Sequence, residues 1–463
     1  MSQETPDPDN GRADADERFD IDPEIVAAVY AAIDAGDRAG AAAALSELHA
    51  ADIADLVEQM DASRRRAFLP TVWPEIGADF LVELEENIRD EVLSDIDPAL
   101  LSEAARDLDS DDLVYLLEGL DDESRDRVVS ALDPGDRLVV AKSLEYPDYS
   151  AGRLMNTSFV KAPPFWTVGQ MIDEMRASDD LPEQFYDVIV VDPAMRPLGK
   201  IPLAQILRSP RPVTLEALMQ GDLHKIHVED AQEDVAYTFN QYHLVSAPVV
   251  DDDGRLVGTI TIDDAMEVLE DEAEEDIKRL AGVGDEEISD TVWAITRRRF
   301  PWLAVNLATA ILASMVIAIF DDVIQQVVAL AILMPIVASM GGNAGTQTLT
   351  VAVRALATRD LTPTNALRIV QREVLVGLLN GLAFAVVMAG IAWVWFADPT
   401  ITWVIGVAMV VNLLMAGLSG ILVPLALERL GADPALASGT FVTTVTDVVG
   451  FFAFLGLAAL VLL

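Results

Sequence analysis

From Phe300 onward the chain carries five long apolar runs, and this restricts its fold more than any other feature. The runs lie at about 300–320, 323–356, 367–396, 401–427 and 436–463. Each reaches or exceeds the roughly 20 residues that an α-helix needs to cross a bilayer. Backbone groups at that depth have no water to bond, so spanning helices are the predicted structure. The charges between the runs set an orientation. Arg297, Arg298 and Arg299 precede the first run, Arg354, Arg359, Arg368 and Arg372 separate the second from the third, and Arg429 separates the fourth from the fifth. The connections at 321–322 and 397–400 hold no base. The positive-inside rule then predicts a cytoplasmic N-terminal part and an outside C-terminus.

Two features inside the runs are not needed for spanning. The stretch 334–350 reads MPIVASMGGNAGTQTLT, with Pro335, Gly341, Gly342, Asn343, Gly345, Thr346 and Gln347 in one apolar run. Such residues serve a close helix crossing or line a polar path through the bundle. The second reading is favoured by Asp447, a lone carboxylate deep in the fifth run (VTDVVGF, 445–451). An intramembrane carboxylate is costly unless it is hydrated or paired, and is by default a functional-site candidate. No base is embedded with it, so water and a cation are its simplest partners. Glu373, by contrast, has Arg372 and Arg368 at hand and is expected to pair with one of them.

The rest of the chain is acidic. Of 76 acidic and 31 basic residues, eight and five lie from Phe300 onward, which leaves 68 and 26 in the first 299 residues. Lysine occurs only at 142, 161, 200, 225 and 278. Such a surface fits a very salty cytoplasm, where screening removes most self-repulsion. It also argues against a nucleic-acid partner. The absence of cysteine excludes disulfides and thiolate metal sites. The N-terminus lacks an apolar leader, so no signal peptide is expected. The four histidines (His49, His224, His227, His243) form no triad or ligand pattern, so an enzyme is not expected.

Residues 1–20 are polar, acidic and punctuated by Pro and Gly, which predicts a disordered tail. From 21 to 145 short amphipathic helices are predicted. Ile96-Asp97, Leu108-Asp109, Leu120-Asp121 and Leu132-Asp133 recur every 12 residues, each Asp placed to cap the next helix. Segments of this kind bury an apolar face only by stacking, as in a small solenoid. The stretch 146–155 (YPDYSAGRLM) breaks the pattern and reads as a linker. A β-α-β-β-α unit then occurs twice, at 156–220 and 221–275. Val190-Val191-Asp192 matches Val249-Val250-Asp251, and Gly199 matches Gly258, both at an offset of 59. The pair resembles tandem CBS domains, which often bind adenosine nucleotides. That resemblance implies a site for a nucleotide such as ATP at the second repeat only, through Thr261 and Asp264 of its Thr-x-x-Asp, with structural packing as the alternative; the first repeat has Pro202 and Gln205 there. In the run 263–276 (DDAMEVLEDEAEED), nine of 14 residues are acidic. It is helical in pattern and leads to the membrane, where a carboxylate cluster would repel itself without cations. Mg²⁺ is suited to it, taking oxygen ligands and keeping several waters.

Taken in order, the short-helix domain, the YPDYSAGRLM linker, two CBS-like repeats, an acidic connecting helix and five spans with GGNAGTQ and TDVVGF resemble the MgtE family of magnesium channels. The resemblance implies a multidomain membrane protein: an α-helical solenoid, an α/β CBS pair, a connecting (plug) helix at 276–299 and an all-α five-span domain at 300–463. It further implies a homodimer in the lipid bilayer that imports Mg²⁺ into the cytoplasm. Asp447 would hold the hydrated ion near Gly342, Asn343, Thr346 and Thr350. Asp264, Glu267, Glu272, Glu275, Asp276 and Glu233 would sense cytosolic Mg²⁺ and close the pore through the plug helix. Three positions depart from the pattern: Ala231 and His243 stand where further sensor acids are expected, and Thr346 where an amide is common. A carrier of Co²⁺ or Mn²⁺ would share this plan, although oxygen ligands without Cys weigh against softer metals. A membrane-anchored nucleotide sensor without transport would leave Asp447 unexplained.

Overall fold

The structure, a computed structural model, describes residues 21–462 except 47, 73–75, 97–99, 101–107, 119, 121, 179–180, 183, 284–285, 287–290, 363 and 436–437. The tail 1–20 and the capping positions Asp97 and Asp121 thus lie outside the described residues. Two compact units emerge, Met1–Leu269 and Glu270–Leu463.

In the first unit, eight described α-helices precede the 146–155 linker: α1 (Pro23–Ala35), α2 (Arg38–Leu45), α3 (Ala50–Glu58), α4 (Ala62–Val72), α5 (Glu86–Asp95), α6 (Ser110–Glu118), α7 (Asp122–Ala131) and α8 (Pro134–Ser143). Asp22 and Asp37 cap α1 and α2, and His49 with Asp52 forms a reciprocal cap on α3. These side chains satisfy N–H groups that have no partner inside the helix. Asp133 sits at the expected position before α8, but its carboxylate makes no capping bond. The helices share one core, with Leu56, Phe68, Phe80, Leu81, Leu116 and Leu117 fully buried. No helix of this length is stable alone in water, so stacking holds the set together.

The linker is an ordered junction. It contains α9 (Ala151–Leu154), whose Ala151 and Gly152 N–H groups donate to the Asp230 and Val228 carbonyls. Arg153 reaches Glu118 at 2.7 Å and Asp148 at 2.6 Å, and donates to the Leu144 and Tyr146 carbonyls. The two repeats then have matching topologies. The first holds β1 (Lys161–Ala162), α10 (Val168–Ala177), β2 (Asp187–Val191), β3 (Pro197–Pro202), α11 (Leu203–Arg208) and α12 (Leu215–Leu218). The second holds β4 (Ile226–His227), α13 (Gln232–Tyr242), β5 (Ser246–Val250), β6 (Leu256–Thr261) and α14 (Ile262–Ala281). Each sheet pairs its first strand parallel and its third antiparallel to the middle one. Each also shifts register at the same place, between Val190/Val191 and between Val249/Val250, as the offset of 59 requires. The matched glycines leave room for crossing backbone: a Cβ would lie 2.6 Å from the Gln220 carbonyl at Gly199 and 2.9 Å from the Asn156 carbonyl at Gly258. Lys200 Nζ joins the repeats by donating to Asp187 Oδ2 (2.7 Å) and the Ser246 carbonyl (3.1 Å).

The boundary between units falls within α14. The expected 276–299 helix is therefore not one element. Residues 276–281 finish α14, which stops where Gly282 takes φ +72. There the Gly282 and Val283 N–H groups bond the Arg279 and Lys278 carbonyls, a glycine-type helix stop. The next helix, α15 (Val292–Ile319), already includes the first span, and most of 284–290 lies outside the described residues.

The second unit continues with α16 (Asp321–Gln326), α17 (Ala329–Ala357), α18 (Ala366–Phe396), α19 (Pro399–Arg429) and α20 (Ser438–Leu462). Among the described residues five helices, α15 and α17 to α20, are long and apolar enough to span a membrane. The run expected at 323–356 divides into α16 and α17 because residues 327–328 leave the helix. In its most apolar window α19 is 61% buried and α15 only 6%, so α19 is the scaffold and α15 the most exposed helix. Glycines let backbones close in on α19. A Cβ on Gly377 would lie 2.8 Å from the Leu413 carbonyl, and one on Gly420 would lie 2.7 Å from the Gly345 carbonyl.

Candidate ion-binding sites

The stretch 334–350 is helical throughout, with one face packed against its neighbours and another on a cavity. One face of α17 packs: Gly341 and Gly345 are buried, and a Cβ at Gly345 would lie 2.6 Å from Val442 of α20. One turn apart on the other face stand Asn343, Thr346 and Thr350, all exposed. Thr346 and Thr350 line a cavity of about 530 Å³ together with Asp447 of α20. Gly342 and Asn343 are not among its lining residues; the Gly342 carbonyl accepts from Thr346 Oγ1 at 3.0 Å, and Asn343 contacts Ser339 Oγ at 3.3 Å.

The cavity wall is rich in hydroxyls. Thr440, Thr443 and Thr444 lie on the α20 face that carries Asp447, and Asn306 and Thr309 come from α15. Thr346, Thr350 and Thr444 each donate to a carbonyl four residues back. Their protons are therefore spent, and their oxygens present lone pairs. The i, i+3, i+4, i+7 spacing of Thr440, Thr443, Thr444 and Asp447 was a legible signal for this face, whereas Asn306 had none. Asp447 is half-buried, and among the described residues no ion pair or hydrogen bond engages it. Glu373 pairs with Arg372 at 3.2 Å, as its neighbours predicted.

The end of α14 closes one side of the same cavity, through Arg279, Leu280 and Ala281, followed by Gly282 and Val283. Leu280 packs on a cluster of Leu349, Val353, Ala435 and Val442. Arg279 pairs with Glu275 one turn back and with Asp433, in the connection between α19 and α20. Asp276 is pushed up by its burial and by Asp433, an effect that Arg354 opposes. Arg299, the other base in the cavity wall, pairs with Glu286.

In the first unit, Asp111 and Asp112 at the start of α6 face Asp264 at the start of α14. The sequence reading missed these two, because 152 residues separate Asp112 from Asp264. Burial pushes Asp112 up to about 7, with Asp264, Asp109, Glu267 and Asp79 adding like charge. Asp111 is raised well above the ordinary range for the same reasons, burial first. Asp264 rises to about 6 by burial, offset by hydrogen bonds from the Thr261 N–H (3.1 Å) and Oγ1 (2.9 Å). The Thr-x-x-Asp pair is thus formed, but its aspartate also faces the helical layer. Glu233, in the first turn of α13, is exposed. Among the described residues no three acidic or histidine side chains converge tightly enough to hold a bare metal ion. Carboxylate oxygens spaced in this way suit a hydrated ion, bridged through its waters, better than a bare one.

Five helices able to span a membrane, joined to an acidic N-terminal unit, define a multi-pass membrane protein. Residues 334–457 match the MgtE model, a divalent cation transporter; 48–149 match the MgtE intracellular N domain, and 215–271 a CBS domain. The chain is 31% identical to the magnesium transporter MgtE of Thermus thermophilus over 96% of its own length and 99% of that protein's. It is 33% identical to that of Enterococcus faecalis, over 69% and 71%. A solved structure of the cytosolic domain of the Mg²⁺ channel MgtE in complex with ATP is 27% identical, at a TM-score of 0.49, covering 52% of this chain and 99% of that one. The chain belongs to the MgtE family.

Proposed function

We propose that this protein is a Mg²⁺ channel that admits the ion to the cytoplasm and closes when cytosolic Mg²⁺ is high. The observation that carries this reading is the unpaired Asp447 beside acceptor hydroxyls of Thr346 and Thr350 in one membrane cavity. A carboxylate and neutral oxygens, with no thiol or imidazole, suit a hard ion that retains part of its water. The names of the relatives, magnesium transporters, support the same cargo. Gly342 and Asn343 belong to this path as neighbours one turn away, not as wall residues.

Closure is the work of α14. Its end covers the cavity through Leu280 and is tied down by Arg279 to Asp433, the arrangement expected of a closed path. Mg²⁺ held by Glu272, Glu275 and Asp276, and by Asp264 and Glu267 with Asp111 and Asp112, removes the repulsion that otherwise separates these groups; Glu233 is the most peripheral of the set. The protein works as a homodimer with its domains divided near 145, 155, 220, 275 and 299, its soluble part in the cytoplasm and its C-terminus outside. The exposed apolar face of α15 is available to lipid or to the second copy. ATP is held at the second repeat by Thr261 and Asp264. The test is flux into proteoliposomes at high salt, Mg²⁺ against Co²⁺, Mn²⁺ and Na⁺. Equal passage of Co²⁺ or Mn²⁺ would make this a general divalent carrier, and no flux of any ion would leave a nucleotide sensor.

A further inference from the structure

Asn412 lies midway along α19, the scaffold helix, and is completely buried. Its Nδ2 donates to the Val337 carbonyl of α17 at 2.6 Å. Its Oδ1 has no donor among the described residues. The amide is held between two glycines on two different helices. A Cβ on Gly341 of α17 would lie 2.4 Å from Nδ2, and a Cβ on Gly450 of α20 would lie 2.8 Å from Oδ1. Gly341 directly precedes the Gly342-Asn343 step and lies five residues before Thr346. Gly450 follows Asp447 by three residues.

One planar side chain therefore touches the helices that carry Thr346, Thr350 and Asp447, and nothing larger than glycine is accommodated on either side. A buried acceptor without a donor is a cost that leucine, with the same branching, would avoid. Packing alone thus does not call for asparagine here. The bond to Val337 does what leucine cannot: it ties α19 to a particular carbonyl of α17 and so fixes the height of one helix against the other. Gly450 packs against the same amide, so a shift of that amide is felt at α20 as well.

We propose that Asn412 is a positioning residue that sets the spacing between Asp447 and the Thr346 and Thr350 hydroxyls. This rests on the reading of their cavity as the ion path. Hydrogen-bonded positioning matters for an ion held through its water shell, because the outer ligands must match a shell of definite size.

The experiment compares wild type, Asn412→Leu, Gly450→Ala and Asp447→Asn as full-length protein in liposomes. It measures Mg²⁺ flux against Mg²⁺ concentration, selectivity over Na⁺, and melting temperature in detergent. Asn412→Leu is expected to melt within a few degrees of wild type or above it. The Mg²⁺ concentration for half-maximal flux should rise roughly three- to tenfold and selectivity over Na⁺ should fall, the effect of one lost hydrogen bond. Gly450→Ala, which leaves Asn412 in place but displaces its amide, should shift the same two quantities in the same direction. A residue with a merely structural role would lower the melting temperature or the yield and leave both quantities unchanged in the folded protein. Unaltered half-saturation and selectivity in Asn412→Leu would overturn the proposal, as would unaltered values in Gly450→Ala if the leucine variant does not fold. Loss of flux in Asp447→Asn alone would retain the ion path and remove Asn412 from it. Absence of Mg²⁺ flux in wild type would overturn both.

Discussion

Asp447 meets hydroxyls but no counter-charge, and this separates it from Glu373, the other acid at membrane depth. Glu373 has Arg372 beside it and accepts weakly from Thr348 at 3.4 Å, so its charge is already balanced. Asp447 faces a cavity whose two bases are engaged elsewhere, Arg279 with Glu275 and Asp433, and Arg299 with Glu286. A cation entering that cavity therefore finds one uncompensated negative charge. Asp447→Asn keeps the shape and removes the charge. Hydrogen bonds to a charged group contribute about 1.5–3 kcal/mol, so Mg²⁺ flux is expected to fall about ten- to a hundredfold. Discrimination against Na⁺ should weaken with it. Flux assays on liposomes with equal amounts of protein check this, and unchanged flux would place the ion path elsewhere. Asp447 itself was legible in the sequence, since a carboxylate in an apolar run stands out. The bases that ignore it were not, because their partners come from other segments.

At the scale of elements, the two ends of α14 belong to different units and lie among different charges. Its first turn faces Asp111 and Asp112 of α6, and its last turn is held by Arg279 to Asp433. The second contact uses an arginine where a metal would otherwise be needed to join two acids. Arg279→Gln should therefore loosen the end of α14 and raise flux at high internal Mg²⁺, with Asp433→Asn giving the same direction. Unaltered inhibition by internal Mg²⁺ in both variants would exclude the contact from gating. The first contact carries a pH dependence whose sign follows from Asp112. Its value of about 7 when docked lies above the ordinary 3.8, so the docked form binds the extra proton. Docking of the helical layer on the second repeat is then favoured at low pH and weakened as pH rises through about 7. Without Mg²⁺, protease protection of the 146–160 junction should be greater at about pH 5.5 than at about pH 8. Mg²⁺ should restore protection at the higher pH, and Asp112→Asn should reduce the difference, the rest coming from Asp111 and Asp264. The comparison must be made at fixed multimolar KCl, because salt screens the same charges. Protection indifferent to both pH and Mg²⁺ would reduce the acidic cluster to a salt-adapted surface.

Across the whole molecule, two repeats of one unit carry unequal chemistry. Both sheets share topology and the same register shift, yet only the second repeat presents a Thr-x-x-Asp. Pro202 and Gln205 occupy the matching places in the first. One ATP per chain is therefore expected, not two. Calorimetric titration of the full-length protein should give a stoichiometry near one, lost in Thr261→Val. Since Asp264 also faces Asp111 and Asp112, nucleotide binding should shift the pH at which the junction becomes protected. No heat at any salt concentration would remove the nucleotide from this chain.

Several properties were determined by the amino-acid order alone. Apolar length and the placement of arginines defined five spans, because the cost of burying backbone and charge in hydrocarbon is local to each segment. The offset of 59 defined a duplicated α/β unit, because strand and turn residues repeat with the elements they build. Where α14 ends was a nearer miss: Gly282 is a common stop signal, but the acidic run before it and Arg297 to Arg299 after it pointed to one continuous helix. Other properties were decided only by the tertiary structure. That Asn412 bridges Gly341 and Gly450, that Arg279 meets Asp433, and that Asp112 faces Asp264 each depend on which helix faces come together. Periodicity tells which side of a helix is polar or small. It does not tell which partner that side will meet, and that choice belongs to close packing between segments far apart in the chain.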